Sequence, residues 1–189
     1  EILSGNGLPD PYGGDEQAPF PWRGRITGDL APGLDGSPDL TAANTAAVEA
    51  FFGTAQASDF VLGDGFVDYS GPDEFSYSRF ILHCAALCAV AGGVEAFCIG
   101  SEMRGLTQML DDLGFPAVNR FRALATQVRS LLPYAKLSYA ADWSEYFGYQ
   151  PQDGSGDVYF HLDPLWADDE IDFIAIDNYM PLSDWRDGT

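Results

Sequence analysis

Three acidic residues with the potential to do chemistry each follow a short apolar run. These residues are Glu102, Asp142 and Asp177, which lie 40 and 35 residues apart. Cleavage of a glycosidic bond needs one carboxylic acid to protonate the leaving oxygen and a second carboxylate across the bond. The pattern therefore indicates a glycosidase-like cleft in which Glu102 is the candidate catalytic acid.

The apolar runs before these acids are typical of strands. We predict parallel strands near residues 94–100, 135–141 and 171–176, with helical sequence in at least the first interval between them. Parallel strands all end at the same edge of a sheet, so the three acids would share one face. In a (β/α)8 barrel that face holds the active site. Three strands are too few to close a barrel, so we expect either part of a barrel or a smaller open α/β sheet.

The residues around the second and third strand ends are candidates for substrate binding. Carboxylate, amide and phenol groups suit hydrogen bonds to sugar hydroxyls, and aromatic rings suit the C–H faces of sugars. The candidates are Asp142, Trp143, Glu145, Asp177, Asn178, Tyr179 and Trp185.

Each candidate also has an ordinary structural interpretation. Glu102 could be the acidic residue at the start of a short helix. Asp142 could form an Asx-turn with Trp143 at the surface, and residues 177–179 could cap a strand. Large aromatic residues in loops more often belong to a small satellite core. Spacing alone leaves both interpretations open.

Composition limits the class of partner. The chain has 29 acidic and 9 basic residues, a formal net charge of −20. This charge repels nucleic acid and anionic lipid but tolerates neutral ligands such as sugars, so we expect no nucleic-acid partner. We find no apolar run of the roughly 18 residues that a membrane span needs, and we expect none.

No metal or cofactor is predicted. Cys84, Cys88 and Cys98 are interpreted as buried free thiols. The two histidines have no partner at ligand spacing, and residues 153–157 lack the length and the terminal glutamate of a calcium loop.

The first 40 residues differ from the rest of the chain. Residues 1–40, here called the arm, are rich in Gly, Pro and Asp, and predict a loop, whereas 41–189 predict a fragment of a barrel domain. If the arm is a loop of the active-site face, Trp22, Arg23 and Arg25 are possible ligand contacts; disorder is the alternative. Because the chain starts at Glu1 rather than Met, directly in loop-like sequence, we expect a piece of a longer polypeptide. We find no cleavable signal peptide.

Further elements are expected after the arm. The first is a helix from Asp39 or Thr41 to about Gln56. Its buried side is predicted to contain four residues: Ala46, Ala47, Ala50 and Phe51. The others are a hairpin at 60–62 and 66–69, helices at 73–91 and 116–132, and a short helix after Glu102.

Four segments carry a resemblance to a known family. They are 97–107 (FCIGSEMRGLT), 138–146 (SYAADWSEY), 171–185 (IDFIAIDNYMPLSDW) and 5–14 (GNGLPDPYGG). Together they resemble the glycoside-hydrolase TIM-barrel-like domain of phage-tail host-specificity proteins, including those of gene transfer agents. The resemblance spans nearly the whole chain.

The resemblance implies that the three strands are about the fourth to sixth of a barrel. In retaining barrel glycosidases the fourth strand ends in the acid/base, commonly as Asn-Glu. Here the pair is Ser101-Glu102, so the glutamate is shared and the asparagine is not. The nucleophile of those enzymes follows the seventh strand, which would lie beyond Thr189. Glycoside turnover by this fragment alone is therefore not expected.

The resemblance also implies a function and a location. It implies a glycoside hydrolase-like domain of a phage-type tail protein, acting on or recognising cell-envelope polysaccharide. A non-catalytic structural or glycan-binding module of the tail is the alternative. The implied partners are envelope glycan and other tail proteins, and the implied location is the tail of a phage-like particle assembled in the cytoplasm. Open sheet edges would also favour self-association.

Overall fold

The computed structural model describes residues 7–180 and 182–183. In chain order the helices are α1 (Ala42–Phe52), α2 (Tyr77–Val90), α3 (Arg104–Thr107), α4 (Pro116–Leu131) and α5 (Asp163–Trp166). The strands are β1 (Phe60–Leu62), β2 (Val67–Tyr69), β3 (Ala96–Ser101), β4 (Lys136–Asp142) and β5 (Ala175–Asp177). Short 3-10 turns occur at Arg23–Arg25 and Ala57–Asp59.

A parallel sheet in the order β3-β4-β5 forms the framework of the site. β4 is central, and Asp142 at its end is in register with Asp177 at the end of β5. β1 and β2 form the predicted antiparallel hairpin. The described residues contain no closed barrel, so the chain is an α/β structure consistent with part of a TIM-barrel-like domain. The predicted fold class and the three parallel strands are confirmed, although β5 is shorter than expected.

Helix α4 packs between the sheet and α1 and closes the core. Pro116 starts it, and Phe121, Leu124 and Val128 lie on its buried face. The Phe121 ring lies 5.0 Å from the ring centroids of Phe52 and Tyr139. A Cβ on Gly100 would come within 2.9 Å of the Phe121 ring. Glycine near the end of β3 therefore allows this aromatic cluster to lie directly against the strand.

Helix α1 buries a different face from the predicted one. Thr41 caps it by accepting the Ala43 N–H (3.2 Å), and its buried residues are Asn44, Val48 and Phe52. The four residues predicted to be buried, Ala46, Ala47, Ala50 and Phe51, are exposed or half-buried. Two contacts determine this orientation of the helix. The Phe52 ring packs on Phe121, and the Asn44 amide donates to the Leu110 carbonyl (2.7 Å).

Two smaller expectations are also wrong. Helix α2 begins later than predicted because Ser76 caps it by accepting the Arg79 N–H (3.2 Å). Glu74 lies outside the helix and accepts the N–H groups of nearby loop residues. Cys98 is exposed rather than buried, because it lies on the outer face of edge strand β3 while Ile99 packs in the core.

Candidate functional site

Glu102 occupies an unusual backbone position at the end of β3. Its N–H donates to the Ala140 carbonyl (2.8 Å), which continues the pairing with β4 after a register shift between Cys98 and Ser101. Its φ of 52° lies in the left-handed region, which costs a non-glycine residue about 1–2 kcal/mol. Glu102 is only 6% exposed. Strain of this kind clusters at functional sites.

The arm covers the Glu102 carboxylate. Trp22 donates its indole N–H to Glu102 Oε2 (3.3 Å), and Arg23 Nη2 lies 3.1 Å from the same oxygen. Both residues lie at the 3-10 turn of the arm. Since an ion pair needs a charged carboxylate, proton donation by Glu102 requires the Arg23 guanidinium to move away first. Two of the three arm residues proposed from the sequence therefore contact the candidate acid.

The third of those residues, Arg25, stabilises the arm itself. Arg25 Nη2 pairs with Asp10 Oδ1 (2.9 Å), and its guanidinium carbon lies 4.9 Å from the centroid of the Tyr12 ring. The arm then packs closely on α3. A Cβ on Gly105 would overlap the Tyr12 hydroxyl and would lie 2.7 Å from the Ile26 carbonyl oxygen. Glycine at position 105 is what allows this approach.

The end of β5 lies next to the same carboxylate. The negative charge of Glu102 is the main cause that raises the pKa of the Tyr179 phenol, so the two groups are close. Tyr179 is 67% exposed. Asp177 is half-buried beside Asp142, and Asn178 accepts the Met180 N–H (2.9 Å) in a turn. Trp185 lies outside the described residues.

The side chains of Asp142 and Glu145 stabilise the turn after β4. Asp142 Oδ2 accepts both the N–H (2.8 Å) and the hydroxyl of Ser144. Glu145 Oε2 accepts the Asp142 N–H (3.1 Å). Asp142 is 4% exposed, whereas Trp143 is 38% exposed. The structure thus contains the Asx-turn that was the alternative interpretation of Asp142, and only Trp143 of this group is at the surface.

Glu145 belongs to a buried hydrogen-bond network beneath the strand ends. Its Oε1 accepts the hydroxyls of Thr107 (2.5 Å) and Tyr139 (2.9 Å), and the side chain is fully buried. Burial raises the pKa of Glu145 to about 7, although these hydrogen bonds oppose the change. Tyr139 also accepts the Met103 N–H (2.7 Å). The network fixes α3 against β4, and the structure does not bring Glu145 to the ligand-facing surface.

His161 extends the same network. Its Nε2 lies 3.3 Å from the Thr107 hydroxyl oxygen, and its Nδ1 lies 3.4 Å from the Tyr159 carbonyl oxygen. Burial lowers the pKa of His161 to about 4, so the ring is neutral near pH 7. His161 therefore has a structural role in this network.

A cavity of about 430 Å³ lies between the arm and the loop after β4. Its lining includes three aromatic and three polar side chains: Tyr12, Phe147, Tyr149, Arg104, Gln108 and Ser144. Glu102 does not line it, so the cavity is a neighbour of the strand-end acids rather than their own cleft. Sequence reasoning missed Arg104. The available signal was a basic residue in a strongly acidic chain, two positions after Glu102.

Within residues 7–180 and 182–183, no group of three or more His, Cys, Asp or Glu side chains is arranged to hold a metal ion. No helix in these same ranges has the length and apolar character that a membrane crossing requires.

Comparison with known protein families identifies a relationship for this chain. A family model described as the GTA TIM-barrel-like domain matches residues 75–189. This span contains the parallel sheet, Glu102 and the loop after β4, and leaves out the arm and the hairpin. No curated protein matches the chain.

Proposed function

Because this chain belongs to the GTA TIM-barrel-like domain family, we propose that it acts on or recognises cell-envelope polysaccharide as part of a phage-type tail protein. The observation that carries this proposal is the position of Glu102. It lies at the carboxyl end of a parallel strand, in a strained backbone conformation, with indole and guanidinium donors on its carboxylate. The carboxyl ends of barrel strands are where this architecture places its chemistry.

In the complete protein, Glu102 is the proton donor of a glycoside hydrolase-like reaction. Its role is to protonate the leaving oxygen of the glycosidic bond after Arg23 moves away. The second carboxylate is not supplied by the acids after β4, because Asp142 is bound to Ser144 and Glu145 is buried. With neither of these two acids free to act, we expect this chain alone to bind glycan without cleaving it.

The exposed groups around Glu102 suit a sugar chain. Trp143 and Tyr179 are exposed aromatic side chains at neighbouring strand ends, and Asn178 is exposed between Asp177 and Tyr179. Aromatic rings pack on sugar C–H faces, and amide and phenol groups bond to hydroxyls. We assign these residues to substrate binding, with half-buried Asp177 as an acceptor for hydroxyl groups.

Recognition without cleavage is the second candidate function. It is favoured by the Glu102 ion pair with Arg23 and by the structural use of Asp142 and Glu145. In that case the strand-end face is a glycan receptor of the tail, and Glu102 fixes the arm in its binding conformation.

Glu102→Gln in the complete protein separates these possibilities. Release of reducing ends from isolated host-envelope polysaccharide measures hydrolysis, and co-sedimentation with the same polysaccharide measures binding. We expect the substitution to abolish hydrolysis and leave the thermal unfolding temperature and binding largely intact, because glutamine keeps the shape and removes the acidic proton. Glu95→Gln, at the opposite end of β3, is the matched control and should leave both activities unchanged.

Each outcome has a definite meaning. Hydrolysis that survives Glu102→Gln eliminates Glu102 as the acid. Binding by the wild-type protein without any hydrolysis establishes the recognition function. A wild-type protein that neither binds nor cleaves envelope polysaccharide refutes the proposed function.

A further inference from the structure

We propose that the cavity beside the strand ends binds the carboxylate of an acidic sugar, with Arg104 as its partner. The inference rests on the proposed function and adds a substrate class, namely glycans that contain uronic acid or a similar carboxylated unit. The central observation is the state of Arg104. Every other arginine in the described part of the chain forms an ion pair with a carboxylate, whereas Arg104 forms none within those residues.

An unpaired arginine is unexpected in this chain. With 29 acidic and 9 basic residues, almost every cation has a carboxylate within reach. Arg104 is exposed and lines the cavity. A guanidinium left without an internal anion is available for one on a ligand, and its planar donor set matches a carboxylate in bidentate geometry.

Arg104 is also oriented by its neighbours. Its Nη1 donates to the Ser144 hydroxyl oxygen (3.4 Å), and that hydroxyl is held by Asp142 Oδ2. The chain of contacts from Asp142 through Ser144 to Arg104 positions the guanidinium at the cavity wall. Because this contact is to a neutral hydroxyl, it leaves the positive charge of Arg104 uncompensated. Asp142 therefore acts as a positioning residue for the ligand-binding arginine.

The rest of the cavity suits a sugar ring. Tyr12, Phe147 and Tyr149 provide aromatic surface, and Gln108 provides an amide. The volume of about 430 Å³ falls within the usual range for ligand pockets.

The surrounding charge makes the site selective. A net charge of −20 repels polyanions at long range, so densely charged chains such as nucleic acid are excluded. A glycan with a single carboxylate on one unit meets Arg104 at short range and loses little to this repulsion. Arg104 follows Glu102 by two residues, which places the cavity next to the strand end that carries Glu102.

The test compares an acidic probe with its neutral counterpart. A glucuronate-containing oligosaccharide and the same oligosaccharide with its carboxyl groups reduced to alcohols are titrated into the full chain by calorimetry. We expect the acidic probe to bind about 10- to 100-fold more tightly, as one charged hydrogen-bonded contact provides. Arg104→Gln should remove this preference, and Arg104→Lys should restore part of it. Arg122→Gln, which breaks a surface ion pair with Asp168, should leave the preference intact.

Three results would overturn the inference: equal binding of both probes, an unchanged preference in Arg104→Gln, or no binding of either probe. The inference and the proposed function fail separately. Hydrolysis or binding of envelope polysaccharide that Arg104→Gln leaves unaffected overturns only the acidic-sugar site. Loss of all polysaccharide binding in the wild-type protein overturns the proposed function as well.

Discussion

Buried Glu145 should give the folding stability a distinctive dependence on pH. Burial raises its pKa from 4.5 to about 7, so the folded chain keeps a proton that the unfolded chain releases between those pH values. The stability from this group is therefore fully present below pH 4.5 and is lost as pH rises to about 7. A difference of about 2.5 pH units corresponds to roughly 3 kcal/mol of unfolding free energy.

Two other effects act against this trend. The hydroxyls of Thr107 and Tyr139 and the N–H of Asp142 stabilise the ionised carboxylate, but burial is the larger effect. His161 contributes with the opposite sign. Its folded pKa of about 4 lies below the ordinary value of 6.5, so its contribution is lost as pH falls from 6.5 to 4. The two groups partly offset each other in the wild-type chain.

Glu145→Gln isolates the glutamate. The unfolding free energy of the wild type minus that of Glu145→Gln is measured by urea titration from pH 4.5 to 8. This difference should fall by roughly 3 kcal/mol as the pH rises. The change should end near pH 7. The glutamine amide facing the Asp142 N–H changes this difference by the same amount at every pH. The contribution of His161 is common to both proteins and cancels in the difference. Exposed Glu95→Gln should give no such trend.

The result that would refute this reasoning is a difference that stays constant or shifts in favour of the wild type as pH rises. Either result would mean that the three hydrogen-bond donors, rather than burial, determine the pKa of Glu145.

Three further predictions concern the arm, the loop before β5 and the sheet edge. Gly105→Ala should displace the arm, because a Cβ there meets the Tyr12 hydroxyl, and limited proteolysis should then cleave the arm faster than in the wild type. Arg129→Met removes contacts to two carboxylates and two carbonyls and should cost roughly 2 kcal/mol in urea unfolding; Arg122→Met, which loses one surface pair, should cost less than about 1 kcal/mol. The outer edges of β3 and β5 should promote self-association, and Ile176→Lys should shift the sedimentation coefficient towards that of the monomer; a wild-type coefficient independent of concentration would contradict this prediction.

The sequence was most informative where short-range patterns determine the structure. Apolar runs of strand length with helical sequence between them predicted the parallel sheet and the common edge of Glu102, Asp142 and Asp177. The apolar stripe of α4 (Phe121, Leu124 and Val128) and the Gly63-Asp64-Gly65 sequence between β1 and β2 were equally local signals. In each case the deciding interactions are periodic or lie within a few residues.

Contacts between distant segments could not be predicted in the same way. Trp22 meets Glu102 across 80 residues, and Asn44 meets the Leu110 carbonyl across 66. No periodic pattern marks either contact, and the second decides which face of α1 is buried. The burial of Glu145 depends on hydroxyls from two other elements, and the unpaired state of Arg104 depends on where every nearby carboxylate lies.

The central claim is that the carboxyl ends of the parallel strands form a glycan site. Hydrogen–deuterium exchange of the complete protein, with and without isolated envelope polysaccharide, tests it most directly. The account predicts slower exchange on binding in residues 20–26, 102–108 and 143–152, and no change at the opposite strand ends, residues 92–95 and 133–136. Protection confined to those opposite ends, or no protection at any of these segments, would contradict it.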